Sequence, residues 1–309
     1  MATVFLTHPS GVEHDMSAGH PERPDRLRVI DEALAGEEFA NLLRETAPAA
    51  TKDAICRVHP QNYFEAIEAA APATGLVQLD GDTAMNAGTW SATMHAAGAS
   101  RRAVEAVLSG TARNAFVAMR PPGHHAETAT PMGFCFFNNA AIAARSAQAE
   151  HGAERAAIID FDVHHGNGTQ DIFWADPSVL YASTHQMPLY PGTGAKSETG
   201  EAGTIVNAPL RPGDGGDAFR EAVESVVLPR IESFAPDIII ISAGFDAHRR
   251  DPLAQLNLVA EDFAWVTDAL MELAARRCNG RIVSLLEGGY DLEGLSQSVA
   301  AHVKTLMGA

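Results

Sequence analysis

Two rhythms alternate along this chain: short unbroken apolar runs, and longer stretches in which apolar residues recur every three or four positions. Runs at residues 3–7, 114–119, 179–184 and 281–286, the run that opens the segment 156–168, and the isoleucines 238–241 predict strands, and residues 204–209 add a further candidate. Four consecutive isoleucines have no polar face, so that strand is buried on both sides, as in a parallel sheet. Between the strands, helical spacing links Leu27, Ile30 and Leu34, and then Phe219, Val223, Val226 and Ile231 in a helix over about 217–233. It links Phe263, Val266, Leu270 and Leu273, and finally Leu295, Val299, Val303 and Leu306. Ala92, Ala96, Ala99, Ala103 and Val107 make a small-residue stripe over 90–108, which predicts a helix lying close under the sheet. Residues 60–88 read as mixed helix and loop. At least six strands alternating with helices predict a doubly wound α/β fold, a mostly parallel sheet between helical layers. No linker, repeat or low-complexity stretch divides residues 1–309, which read as a single domain.

The segment 156–168, AAIIDFDVHHGNG, drives a buried strand into polar side chains. In an extended chain Asp160, Asp162 and His164 share one face, and Phe161, Val163 and His165 the other. A carboxylate and an imidazole two positions apart can grip one metal ion, which makes Asp162 and His164 the natural pair. Asp160, one step deeper, is better placed to orient a neighbour. A lone D-x-H fits a polar strand end as well as a metal site.

Other polar groups arrive at strand ends. RPPGHHAE, from Arg120, puts His124 and His125 in a proline-constrained loop, and Asp246 stands past the isoleucine strand. Gly288 and Gly289 allow a turn that presents Tyr290. Phe134, Phe136 and Phe137 serve as core or as the wall of a channel. The long loop HQMPLYPGTGAKSETG, from His185, has the length of a functional loop. HPERP, residues 20–24, is a plain surface loop or the rim of a site. A divalent ion on Asp162, His164 and Asp246 would keep an open position, as catalytic zinc does. Amide hydrolysis there would need a base, an acid and an oxyanion donor, roles that the histidine pair and Tyr290 fill.

Composition narrows the partners. A formal charge of −17, with no basic cluster larger than Arg101-Arg102 or Arg249-Arg250, argues against nucleic acid and favours cationic ligands. Cys56, Cys135 and Cys278 are odd in number and form no C-x-x-C pair, so a reducing cytoplasm is the expected compartment. The segment MATVFLTHPS has neither a basic region nor a long apolar stretch, and no apolar run reaches membrane length, so a soluble, unexported protein is expected.

The motifs GHPERPDR (19–26), RPPGHHA (120–126), GFCFFNN (133–139), DFDVHHGNGTQ (160–170), PGTG (191–194), SAGFDAH (242–248) and LEGGY (286–290) resemble those of the zinc-dependent histone deacetylase family, in order and across the chain. The resemblance implies a three-layer αβα arginase/deacetylase fold with a roughly eight-stranded central sheet. It also implies lysine deacylation by metal-activated water, with one zinc ion per chain on Asp162, His164 and Asp246. By the same resemblance Tyr290 stabilises the oxyanion, His125 is the general base, His124 its charged or acid-acting neighbour, and Asp160 orients His124. Asn167, partner of His125, stands where class I enzymes carry aspartate, so the chain is similar to class II, bacterial-type histone deacetylase-like amidohydrolases. Gly133, Phe134 and Tyr190 match the acyl-lysine channel, with Gly289 beside it. Leu253 occupies the position of a glutamate gatekeeper in a polyamine-selective relative. Structural potassium is implied near main-chain groups of residues 160–164, 183–184 and 173–179. The implied partners are an acyl-lysine peptide or protein, or a small acylated amine, and a homo-oligomer is left open. Rival readings are an acetylpolyamine amidohydrolase, a non-catalytic acyl-lysine binder, and a binuclear arginase-like hydrolase, for which Asn167 is a poor ligand.

Overall fold

Every one of the seven apolar runs forms a strand in the computed structural model, which describes residues 2–308. Met1 and Ala309, the ends of the expected 1–309 domain, lie outside the described residues. The strands are β1 (Thr3–Thr7), β2 (Leu43–Thr46), β3 (Val77–Gln78), β4 (Ala84–Met85), β5 (Asn114–Val117), β6 (Ala156–Asp160), β7 (Val179–Gln186), β8 (Ile205–Leu210), β9 (Ile238–Ala243) and β10 (Ile282–Leu286). The helices are α1 (Asp25–Ala33), α2 (Lys52–Cys56), α3 (Gln61–Ala70), α4 (Thr89–Leu108), α5 (Asn139–His151), α6 (Asn167–Phe173), α7 (Gly216–Ala222), α8 (Leu228–Phe234), α9 (Ala260–Arg277) and α10 (Leu292–Met307).

Eight strands make one sheet in the order β2-β1-β5-β10-β9-β6-β7-β8, every neighbouring pair parallel. Helices cover both faces, which gives the expected three-layer arginase/deacetylase architecture. The isoleucine run shows why both faces are buried: Ile238 and Ile240 pack with α4 and α5, while Ile239 and Ile241 pack with α9 and α10. Full burial of each such side chain stabilises the fold by about 1.5–3 kcal/mol relative to exposure. The alanine stripe of α4 permits close approach, and a Cβ built at Gly98 would lie 2.0 Å from the Pro48 carbonyl oxygen.

Three features depart from the pattern reading. β2, of sequence LRET, is a mostly exposed edge strand paired with β1, so no hydrophobic signal marks it. The expected strand 114–119 ends at Val117, shortly before two prolines. The expected helix 217–233 is divided by a π turn, Val223–Val227, next to Pro229, whose ring nitrogen has no proton to donate. Because β5, β10, β9 and β6 are adjacent and parallel, the loops after them emerge together at one sheet edge, the usual ligand edge of open α/β folds.

Candidate active site

β6 stops at Asp160, so Asp162 and His164 do not sit on an extended strand as the alternation reading expects. Two side-chain turns bend the chain instead: Asp160 Oδ1 accepts the Asp162 N–H at 3.1 Å, and Asp162 Oδ1 accepts the His164 N–H at 2.9 Å. Phe161 and Val163 still turn away into the α9/α10 core. The bend brings His164 Nδ1 to 3.1 Å from both Asp162 Oδ1 and Asp246 Oδ2. Backbone amides aim the carboxylates, since Val163 N–H donates to Asp246 Oδ1 at 2.9 Å and Gly288 N–H to Asp162 Oδ2 at 2.8 Å. Gly288 leaves room that no other residue would: a Cβ there would lie 2.2 Å from Asp246 Oδ2 and 2.6 Å from Asp162 Oδ2. Asp162, His164 and Asp246 are all buried, with one candidate ligand atom from each within 4.8 Å of the others.

The electrostatics of this trio favour a cation. Burial raises the pKa of Asp246 to about 7, and the Asp162 charge adds to the rise. Burial opposes charge on His164, yet its hydrogen bonds to Asp162 and Asp246 push it up to about 10. Surplus negative charge thus draws a positive one, and a divalent ion on two carboxylates and one imidazole fits the donor set and its confinement.

Beside the trio stand two imidazoles with opposite surroundings. His124 Nδ1 is 2.9 Å from Asp160 Oδ2, which also accepts the Tyr181 hydroxyl at 3.1 Å. Burial works against charge on His124, but Asp160, then Asp162 and Glu287, outweigh it and lift its pKa well above the ordinary value. His125 Nδ1 lies 2.8 Å from Asn167 Oδ1, while the Asn167 amide donates to Glu127 Oε1 at 2.8 Å. With that amide oriented by a carboxylate, Nδ1 of His125 must be the donor, and Nε2 is left without a proton. Burial first, then the charges of His124 and His164, hold the His125 pKa well below normal.

Above them lies a cavity of about 220 Å³ lined by Gly133, Phe134, Leu189, Tyr190, Leu253, Asp82, His125, His164 and Tyr290. Phe134 is its wall, whereas Phe136 and Phe137 are core. Gly133 and Phe134 both have positive φ, 56° and 69°. Hydrogen bonds to Asp82 Oδ1 (3.2 Å) and Thr83 Oγ1 (3.0 Å) hold their amides in this conformation, which costs Phe134 free energy and glycine none. A Cβ at Gly133 would come within 2.4 Å of the His125 ring. Tyr290 faces Phe134 edge-on at 5.9 Å, has the Arg26 guanidinium 4.9 Å from its ring centre, and is kept protonated by burial. Gly289 lies behind it, its carbonyl accepting from Arg26 Nε at 2.7 Å.

Several residues here escaped pattern reading. Asp82 and Thr83 lie in the polar segment before α4, which resembles any loop. Of the two readings of the HPERP segment the rim fits, since His20 packs edge-on against Phe134 at 4.8 Å, but the segment is also anchored below: Glu22 is fully buried, ion-paired with Arg26 and Arg120, and approaches His14. Charged residues in a proline-rich stretch give no signal of burial.

The family model for the histone deacetylase domain matches residues 20–306. The chain belongs to the histone deacetylase family. The histone deacetylase-like amidohydrolase of Pseudomonas aeruginosa is 40% identical over 292 residues, covering 92% of this chain and 77% of its own. A probable deacetylase of Archaeoglobus fulgidus is 40% identical over 301 residues, 95% of this chain and 83% of its own. Histone deacetylase 14, chloroplastic, of Arabidopsis thaliana is 41% identical over 309 residues, 94% of this chain and 73% of its own. The crystal structure of the HDA15 HD domain superposes with a TM-score of 0.94 at 38% identity, covering 99% of this chain and 88% of that one. For this histone deacetylase family member, fold and family therefore agree, and the family supports amide-bond hydrolysis.

Proposed function

We propose that this protein is a zinc-dependent deacylase that removes acetyl or other short acyl groups from lysine side chains, with residues 1–309 as one catalytic domain. The observation that carries this reading is the buried Asp162–His164–Asp246 trio at the floor of a channel that His164 itself, His125 and the Tyr290 phenol line, with His124 buried beside His125. Zinc held by these three residues would supply a Lewis acid and lower the pKa of a water molecule. His125, neutral and with Nε2 free to accept, takes the proton from the attacking water. His124 stays charged beside Asp160 and stabilises negative charge that develops next to it. The Tyr290 hydroxyl donates to the acyl oxygen as that oxygen becomes an oxyanion. Phe134 and Tyr190 flank the aliphatic stem of the lysine, Gly133 keeps the wall next to His125 free of a side chain, Leu253 completes the substrate side, and Gly289 backs Tyr290 from behind. Asn167 fixes the His125 tautomer.

A second reading, turnover of small acylated amines such as acetylated polyamines, is favoured by the net charge of −17 and by Asp82 at the channel. Leu253, where a carboxylate would greet a second amine, favours the lysine substrate. A purely binding role finds no support, because Tyr290 and both histidines are present. The test compares acetate release from acetyl-lysine peptides with release from acetylputrescine and acetylspermidine, together with metal content. We expect one zinc per chain, faster turnover of the peptides, and loss of both metal and activity in Asp246→Ala. Two divalent ions held by the site's side chains, a large preference for polyamines, or binding without acetate release would each overturn the assignment. The same reading extends to structural potassium near residues 160–164, 183–184 and 173–179. It extends as well to a cytoplasmic setting, for which the support is that Cys56, Cys135 and Cys278 are all free thiols. Among the described residues no helix is long and apolar enough to cross a membrane.

A further inference from the structure

Glu287 is a fully buried acid with no chemical step of its own; its charge stands third, after Asp160 and Asp162, among those that hold His124 protonated. It sits at the carboxyl end of β10, whose pairing with β5 runs only as far as Leu285 opposite Val117. Beyond that point the β5 chain enters Pro121 and Pro122, which have no N–H to offer. The first backbone donors after the prolines are those of Gly123 and His124, and both reach the same atom, Glu287 Oε2, at 2.7 and 3.2 Å. The side chain thus pairs the first donors beyond the prolines, where the β5–β10 ladder has already ended. Its other oxygen, Oε1, accepts the Ser242 hydroxyl of β9 at 3.1 Å. The Glu287 backbone is fixed too, its N–H on Ala243 O at 2.9 Å and its carbonyl on Arg26 Nη2 at 2.5 Å. On the far side the loop cannot yield, because a Cβ at Gly123 would stand 2.5 Å from the Asn139 nitrogen.

We propose that Glu287 is a positioning residue: by holding the Gly123 and His124 amides it sets the loop at the one height where His124 meets Asp160 and His125 meets Asn167. The inference rests on the deacylase reading and adds a residue outside its chemical steps. All three donors to the carboxylate are neutral, so the loop requires its reach, and the charge it lends His124 is secondary to that of Asp160 and Asp162. Burial raises the Glu287 pKa to about 7, against the pull of the His124 charge, so the protonated acid is within reach near neutrality. A glutamine should therefore serve, its carbonyl accepting the two amides and its NH2 donating to the Ser242 oxygen. Aspartate keeps the charge and loses the reach, and leucine leaves two buried N–H groups unpaired.

The test uses metal-loaded, full-length Glu287→Gln, Glu287→Asp and Glu287→Leu, with kcat, KM, metal per chain and thermal midpoint measured for each on an acetyl-lysine peptide. We expect Asp and Leu to lose about 10- to 100-fold in kcat, the scale of a misplaced catalytic group, with KM and metal content unchanged. Gln should recover kcat to within about threefold of wild type. If Leu fails to fold, the comparison of Asp with Gln carries the result. A Gln variant as slow as Asp would overturn the proposal, because charge would then matter more than reach. Losses of kcat that merely track lost metal or lost fold would overturn it as well. Absence of wild-type turnover would instead sink the deacylase reading itself, an outcome that the Glu287 variants cannot mimic.

Discussion

Tyr290 asks a narrow question, because a phenylalanine there deletes one oxygen and leaves the ring contacts with Phe134 and Arg26. Its main-chain N–H, held by Asp251 Oδ2 at 2.7 Å, is indifferent to the side chain, so the turn survives the change. Tyr290→Phe should bind metal and melt like wild type while kcat falls by about 10²- to 10³-fold, or about 2.7–4 kcal/mol, the scale of one lost oxyanion donor. Steady-state kinetics beside a metal assay would decide it, and wild-type rates would remove the phenol from the mechanism. At this scale much of the site is legible in sequence, for a chemical reason. Asp162, His164, Asp246, His124, His125 and Tyr290 are polar residues set directly after apolar runs, where a parallel sheet must deliver them. Glu287 belongs to the same set of strand ends, yet its task is to satisfy backbone amides, and nothing in a sequence marks which N–H groups prolines will leave unpaired. Glu22 and Arg26 hide for a related reason, since burial of a charge depends on a partner about a hundred residues away, Arg120.

Among the elements, the loop from β7 to β8 matters most, since it carries Leu189 and Tyr190 to the cavity. Two buried imidazoles pin it: His165 Nδ1 is 2.7 Å from Thr193 Oγ1, and His185 Nε2 is 3.0 Å from the Gly194 carbonyl. Glu198 Oε2 accepts the Gly194 N–H at 3.0 Å and holds Gln170, which in turn meets His165. Gly194, with φ of 94°, lies against both rings, and a Cβ would meet His185 Nε2 at 2.4 Å. His185→Phe keeps an aromatic ring in that space but gives up the bond to the turn. The loop should loosen, raising KM for acyl-lysine peptides by about 3- to 10-fold with kcat nearly kept, the pattern of lost uniform binding. An unchanged KM would mean that Tyr190 is held from elsewhere. Elements with a burial pattern could be read from the sequence, such as β9 from its isoleucines and α10 from Leu295, Val299, Val303 and Leu306. Elements without one could not. β2 is an edge strand made of LRET, and the bend after Asp160 arises from aspartates capping amides two residues on, a local preference that strand alternation ignores.

Across the whole molecule, the core on one face of the sheet carries a group that pH can probe. The core built on α9 and α10 encloses His302, fully buried and ringed by Phe116, Phe161 and Phe245 at 5.5–6.1 Å. Its hydrogen bonds fix a neutral form. Thr267 Oγ1 donates to Phe263 O at 2.6 Å, so it must accept from His302 Nδ1, also at 2.6 Å. Nε2, lacking a proton, then accepts the Ser284 hydroxyl at 2.8 Å. This one side chain ties α9, α10 and β10 together through the layer. Burial alone lowers its pKa from 6.5 to about 3. Between those values the unfolded chain binds a proton that the folded one refuses, so His302 withdraws stability as pH falls below 6.5. The loss approaches about 1.4 kcal/mol per pH unit. Other groups titrate in the same range, so the clean measurement is a difference: the stability penalty of His302→Gln, read by urea unfolding at pH 7 and again at pH 5. Glutamine can donate and accept but cannot take up the proton. Its penalty at pH 7 should therefore shrink, or reverse, at pH 5, by about 2 kcal/mol over the 1.5 units below 6.5. A penalty that stays constant between the two pH values would mean that this core admits the charge, through water or a local opening at α10, and that the neutral imidazole is not what seals the α9/α10 layer to the sheet.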